Sequence, residues 1–166
     1  VRELLLGCGR SRAKRMSFGE AIWSDVTTVD YYPECQPDVV WDLNDTPWPF
    51  DDNTFDEVHA YEVLEHLGRQ GDFIAFFATF TQIWRVLKPA GHLFASVPAI
   101  TSPWAWGDPG HTRVISLESL TFLNQDEYAR QVEVMTEYRH VYPGDLRPIM
   151  AEVKGDTFAF VLQAHK

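Results

Sequence analysis

Three groups of residues in this chain have the types and spacing to do chemistry. The first is the run Glu3-Leu4-Leu5-Leu6-Gly7-Cys8-Gly9, in which an apolar strand delivers the backbone into two glycines. The second is Val26-Thr27-Thr28-Val29-Asp30, a second apolar strand that ends on an acid 21 residues after Gly9. Glycines let a loop approach a ligand closely, and a carboxylate at that distance can accept hydrogen bonds from a ribose diol, so the pair reads as a nucleoside-cofactor site. The third is Glu62-Val63-Leu64-Glu65-His66. On a helical turn, Glu62, Glu65 and His66 fall at i, i+3 and i+4 on one face, where two carboxylates and an imidazole can hold a divalent cation. His66 alone reads as a general base or a substrate contact.

The glycine loop departs from a dinucleotide fingerprint. That motif, G-x-G-x-x-G, uses its third glycine to pack helix against strand, and here Arg12 stands at that position. What remains is a looser G-x-G-x-S, equally compatible with a plain turn between strand and helix. A nicotinamide-dependent oxidoreductase is therefore disfavoured.

Alternation along the chain predicts the elements that must position these groups. Strands are expected at 3–6, 26–30, 38–42, 55–61 and 91–98, with a first helix over 12–22. Phe73, Phe77, Phe80, Trp84 and Leu87 recur at helical spacing, and Lys88-Pro89-Ala90-Gly91 stops that helix. Residues 99–115, rich in Pro, Gly and Trp, read as a loop, after which Ser116 caps a short helix through Leu123. Val132, Val134, Thr136 and Tyr138 alternate with Glu133, Glu137 and Arg139, so 131–142 and 157–164 read as a closing antiparallel pair joined by 143–155. The fold class expected is α/β: a Rossmann-like sheet, mostly parallel, with an antiparallel pair at the C-terminal end and helices on both faces.

Composition narrows the partners. At 166 residues, 45% of them hydrophobic, the chain is expected to form one domain over 1–166 with a sizeable core. A net charge of −10 argues against DNA or RNA as partner, since nucleic-acid binding exchanges counterions through a basic patch. The one basic cluster, Arg10, Arg12, Lys14 and Arg15, reads as the solvated face of the first helix. No apolar run is long enough to span a bilayer. Two cysteines, Cys8 and Cys35, give no disulfide framework, which fits a reducing cytoplasm. The oligomeric state is not readable from these features.

Further blocks carry a resemblance: Trp48-Pro49-Phe50-Asp51-Asp52-Asn53-Thr54-Phe55-Asp56-Glu57-Val58, then Val63-Leu64-Glu65-His66-Leu67, then Leu87-Lys88-Pro89-Ala90-Gly91-His92-Leu93. With Leu6-Gly7-Cys8-Gly9 ahead of them, they stand in the order and spacing of class I S-adenosylmethionine-dependent methyltransferases. The chain resembles the broad group written with "LGCG", "PFPDNSFD", "VLEHL" and "LKPGG". The resemblance runs from residue 3 to about residue 98.

That resemblance implies S-adenosylmethionine as methyl donor, leaving S-adenosylhomocysteine. It puts the amino-acid part of the cofactor at Gly7, Cys8 and Gly9, the ribose at Asp30, and the adenine beside Tyr31, Asp42 and Leu43. Tyr61 and Glu62 complete the set beside the methyl group. Two features depart from the family: Leu5 stands where an acid two positions before the first glycine is common, and little chain precedes the first strand to supply the usual leading helix. The site is then unusually open, or the native protein is longer. On the acceptor side, His66 and His111 of the Asp108-Pro109-Gly110-His111 loop are the expected catalytic pair. The E-x-x-E-H string also resembles metal-assisted small-RNA and catechol O-methyltransferases, in which case Glu62, Glu65, His66 and His111 form the ligand set and Mg2+ is the cation. The reading adopted takes no metal. Trp104 and Trp106 read either as walls of an acceptor pocket or as a plug over the sheet's open end. The expected activity is methyl transfer to a small-molecule or sugar-bearing acceptor, at oxygen. The alternatives are a metal-assisted RNA or catechol O-methyltransferase and a cofactor-binding module without turnover.

Overall fold

The apolar residues of each strand fall on alternate sides, and the two sides receive different partners. A computed structural model describes residues 1–166. It contains seven strands: β1 (Arg2–Leu6), β2 (Asp25–Asp30), β3 (Val39–Val40), β4 (Phe55–Tyr61), β5 (Leu87–Pro98), β6 (Leu146–Lys154) and β7 (Thr157–Ala164). They form one sheet in the order β3-β2-β1-β4-β5-β7-β6. The first five pair in parallel, and β7 runs antiparallel to both β5 and β6. The chain is thus an α/β protein with the mostly parallel sheet and C-terminal antiparallel pair that its pattern predicts.

Leu4, Leu6, Val58, Ala60, Leu93, Ala95, Phe158 and Phe160 share one face and form the main core. The helix α1 (Phe73–Val86) closes it with Phe77, Phe80, Ile83 and Val86. Full burial of each of these side chains is worth about 2 kcal/mol. Asp72 caps α1 by accepting from the Ala75 N–H at 3.0 Å, and the chain passes directly into β5 at Leu87. Three shorter helices follow: α2 (Trp104–Gly107), α3 (Leu117–Thr121) and α4 (Gln125–Arg130). Ser116 caps α3 as expected, whereas α4 has no counterpart in the sequence reading.

The opposite face differs from expectation. The helix predicted over 12–22 does not form, and residues 10–24 cross the sheet as irregular chain. Tertiary contacts hold them there. The covered side chain of Lys14 bridges the carboxylates of Glu3 on β1 and Glu57 on β4. Trp23 packs edge-on against His59, and the Tyr61 hydroxyl accepts from the Met16 N–H at 3.1 Å. Burial opposes ionisation of both Glu3 and Lys14, yet their mutual pairing wins, with the Glu3 carboxyl held below its usual range and the Lys14 ammonium above it. His59 lies fully buried between Glu57 and Tyr61, and burial pulls its pKa down to about 4.

The closing pair also corrects the sequence reading. Residues 131–142 are turns and irregular chain, with Val132 and Val134 exposed, and the strand is β6, at 146–154. β6 is an edge strand with a register shift between Pro148 and Met150, and a two-residue turn at Gly155-Asp156 joins it to β7. No helix is long and apolar enough to cross a membrane.

Candidate active site

The loops after β1, β2 and β4 meet where the strand order reverses, between β1 and β4. In open α/β sheets this crevice, beyond the carboxyl ends of the strands, is where ligands sit. Here it is a cavity of about 480 Å3.

Gly7 opens the loop after β1 with φ +57°, and a Cβ there would stand 2.4 Å from Val63 Cγ2. Only glycine allows the β1 and β4 loops to approach this closely. Two residues on, the Gly9 N–H donates to Asp30 Oδ2 at 2.8 Å, while the Tyr32 N–H donates to Asp30 Oδ1 at 2.9 Å. Asp30 is thereby fixed at the tip of β2, and each of its oxygens keeps a further lone pair. After β3, Asp42 Oδ1 accepts from the backbone and side chain of Asn44, and Asn44 Oδ1 in turn accepts from the Gly68 N–H at 2.9 Å. Asp42 therefore closes a turn and faces the cavity at once.

Of the expected cofactor residues, Gly7, Asp30, Tyr31, Asp42, Leu43 and Glu62 line this cavity, and so does His66. Cys8 and Tyr61 do not. Cys8 is buried with Leu5 and Tyr61 in a small cluster on the opposite face, and the Tyr61 hydroxyl is occupied by Met16 and His59. Strand alternation turns Tyr61 away from the site while Glu62, one residue later, turns into it. Gly9 reaches the cavity's edge only through its bond to Asp30, and nothing lies within 4 Å of where its Cβ would stand. Trp41, Asn44, Val63, Leu67 and Gly110 line the cavity without having been singled out in the sequence. For Asn44 and Gly110 the signal was adjacency to Asp42 and His111.

Glu62 adopts φ +56°, unusual for a residue with a side chain. Its N–H donates to the Ser96 carbonyl at 2.8 Å and its Oε1 accepts from Ser96 Oγ at 2.8 Å, so β5 enforces the conformation. Glu62 also borders a second, shallower cavity of about 290 Å3, shared with Pro98, Trp104, Asp108, His111, Asp156 and Thr157. Trp106 points elsewhere and is 65% exposed.

Between the two cavities stand Glu65, His66 and His111. Leu64–His66 form a 3-10 turn, and Glu65 is 2% exposed with no hydrogen-bond partner for either carboxylate oxygen. Burial pushes its pKa up to about 8, and the neighbouring Glu62 and Asp108 carboxylates add to the shift. His66 Nδ1 pairs with the Gly110 carbonyl at 2.9 Å and His111 Nδ1 with the Trp104 carbonyl at 2.8 Å. The His111 loop is itself docked on this turn: the N–H groups of Thr112 and Arg113 donate to the Glu65 carbonyl at 2.9 and 3.1 Å. Arg113, buried, donates to the carbonyls of Leu67, Arg69 and Asp72.

Residues 4–95 match the family model described as a methyltransferase domain. The chain belongs to this family. No curated protein sequence matches it. Solved structures match over nearly its whole length. A SAM-dependent methyltransferase from Archaeoglobus fulgidus is 14% identical with a TM-score of 0.62, the match covering 98% of this chain and 86% of that one. A SAM-dependent methyltransferase from Methanosarcina mazei is 15% identical with a TM-score of 0.60, covering 99% and 92%. The N-methyltransferase NodS from Bradyrhizobium japonicum, in complex with S-adenosyl-L-homocysteine, is 16% identical with a TM-score of 0.58, covering 99% and 78%. The fold it shares with them is that of S-adenosylmethionine-binding methyltransferases. The residues fit that cofactor: a nucleoside needs hydrogen-bond acceptors for its ribose and adenine, and Asp30 and Asp42, at the ends of neighbouring strands, both line the cavity.

Proposed function

We propose that this methyltransferase acts on a hydroxyl of a small-molecule or sugar-bearing acceptor. In this reading the larger cavity holds the adenosyl cofactor, with Asp30 on the ribose hydroxyls, Tyr31 beside the adenine, and Asp42 and the Leu43 backbone at the adenine amino group. The cofactor supplies a methyl carbon activated by a sulfonium. The protein's part is to align donor and acceptor for an in-line displacement and to manage the acceptor's proton.

The observation behind the acceptor assignment is the second cavity, which adjoins the first through Glu62. Its wall presents the carboxylates of Glu62, Asp108 and Asp156 beside the exposed ring of Trp104. Carboxylates accept hydrogen bonds from vicinal hydroxyls, and an indole face packs against the apolar face of a sugar ring. The same three carboxylates repel phosphates, which speaks against RNA. His66 and His111, between the cavities, are the groups that act on the acceptor's proton.

The test is an acceptor panel with S-adenosylmethionine: monosaccharides and sugar nucleotides, catechols, primary amines and short RNA, read by mass spectrometry for a methyl adduct. O-methylated sugar or other small alcohol is the expected product, lost in His111→Ala. Methylation confined to amines or RNA would overturn the acceptor assignment.

A further inference from the structure

The shallower cavity differs from the rest of the surface in leaving its charge unmatched. Elsewhere acids stand beside bases: Asp52 with Arg85, Asp56 with Lys88, Asp126 and Asp145 with Arg147. In this cavity Glu62, Asp108 and Asp156 share the wall, no Lys or Arg lines it, and none of the three carboxylates is paired with one. A recess lined by one sign of charge focuses its field on whatever enters.

A fourth acid stands behind the wall. Glu65 is 2% exposed, and neither of its oxygens has a hydrogen-bond partner in the protein. Its Oε1 lies 3.9 Å from Nε2 of His111, a residue of the cavity wall, and Asp108 Oδ2 lies 3.9 Å from the same nitrogen. Both separations are too long for hydrogen bonds, so the imidazole satisfies neither carboxyl. A buried carboxyl without a partner is costly. What this corner lacks is N–H donors and positive charge.

The other groups of the cavity are set for the same kind of ligand. The Trp104 indole is 61% exposed while its backbone is held: its N–H donates to Ser102 Oγ at 3.1 Å, and its carbonyl accepts from His111 Nδ1 at 2.8 Å. An indole face attracts an ammonium by its quadrupole. Asp108 commits Oδ1 to the Gly110 N–H at 2.7 Å, and Glu62 commits Oε1 to Ser96 Oγ, so each keeps its second oxygen for a ligand.

We infer that the acceptor is a cation, carrying a protonated amine that Glu62, Asp108 and Asp156 hold beside the face of Trp104. This rests on the reading of the cavity as the acceptor site and narrows it to molecules with both an amine and a hydroxyl, such as amino sugars and amino alcohols. Nearby carboxylates favour the charged form of an amine. An ammonium has no lone pair with which to take a methyl group. The amine is therefore the handle, and a hydroxyl of the same molecule is the nucleophile.

Calorimetric titration of protein saturated with S-adenosylhomocysteine tests this, with glucosamine, N-acetylglucosamine and glucose as probes at about pH 7, where an amine of this kind is protonated. Glucosamine is expected to bind about tenfold or more tightly than either neutral sugar, and the advantage should shrink in about 0.5 M salt. Asp108→Asn combined with Asp156→Asn should abolish the advantage; an amide oxygen still accepts from the Gly110 N–H, so the loop keeps its shape. Glu133→Gln, at an exposed acid outside the cavity, controls for net charge and should keep it. S-adenosylhomocysteine binding by each variant reports that it is folded. Equal affinity for the three sugars, no binding of any, or an advantage that survives the double substitution overturns the inference. Hydroxyl methylation of glucose as efficient as that of glucosamine overturns it too, while leaving the acceptor reading intact. An unmethylated hydroxyl on glucosamine that nonetheless binds with the full advantage upholds the cation site and fails the acceptor reading instead.

Discussion

The backbone N–H of Gly9 donates to Asp30 Oδ2 at 2.8 Å and ties the loop after β1 to the tip of β2. The bond joins the two motifs that stand out in the sequence, 21 residues apart, and it orients the carboxylate that borders the cavity. The Tyr32 N–H holds the other oxygen at 2.9 Å, so the Asp30 side chain is set before any ligand arrives.

Gly7 is the position least tolerant of a side chain. An added Cβ would meet Val63 Cγ2 at 2.4 Å and would have to accept φ +57°. Gly7→Ala is expected to lose about 2–4 kcal/mol of stability, the backbone and the overpacking each contributing. Adding Val63→Ala should recover the steric part and leave the backbone part. Denaturant unfolding of the single and double variants measures both, and equal stability of the two would remove the clash from the account.

Lys14 replaces the missing helix as the anchor of residues 10–24. Its side chain is 5% exposed and that of Glu3 is fully buried. Lys14→Met leaves two carboxylates facing each other beneath that segment and is expected to cost about 3 kcal/mol. Glu3→Gln in the Lys14→Met background should regain part of the loss, since the unpaired charge is then gone. Thermal melts of the three proteins decide it.

His59 gives the fold an acid limit. Burial lowers its pKa from 6.5 to about 4, so between those values the unfolded chain binds a proton that the folded chain resists. The stability involved is fully present above pH 6.5 and declines as pH falls toward 4, by about 3 kcal/mol in all. Urea unfolding at pH 7.5 and pH 5 should show the drop, and His59→Phe, which keeps the stack on Phe94, should flatten it. An equal slope in the variant would assign the acid sensitivity to other groups.

The sequence was legible where local pattern and tertiary packing agree. The aromatic spacing of 73–87 marks α1, and β1 and the second half of β5 follow from apolar runs buried on both faces. It misled where tertiary contacts override local preference. Residues 12–22 have a helical composition, but burying Lys14 between Glu3 and Glu57 pulls the segment into irregular chain. Residues 131–142 alternate like a strand, yet β7's open edge is taken by 146–154, whose alternation is masked by Pro148 and the register shift beside it. In the site, Asp30, Asp42 and Glu62 were readable because strand ends precede them. Tyr61 was misplaced by one residue of alternation, and the pairing of His111 with the Glu65 turn depends on carbonyl docking that no motif encodes.

The cavity beyond the ends of β1, β2 and β4 is expected to bind the adenosyl cofactor through Asp30. Calorimetric titration with S-adenosylhomocysteine, alongside NAD, tests it most directly. Saturable binding of S-adenosylhomocysteine is expected, with none of NAD, and affinity about 10–100-fold weaker in Asp30→Ala, the range that follows when hydrogen bonds to a charged acceptor are lost. Binding that Asp30→Ala leaves unchanged, or no binding by the wild type, would contradict it.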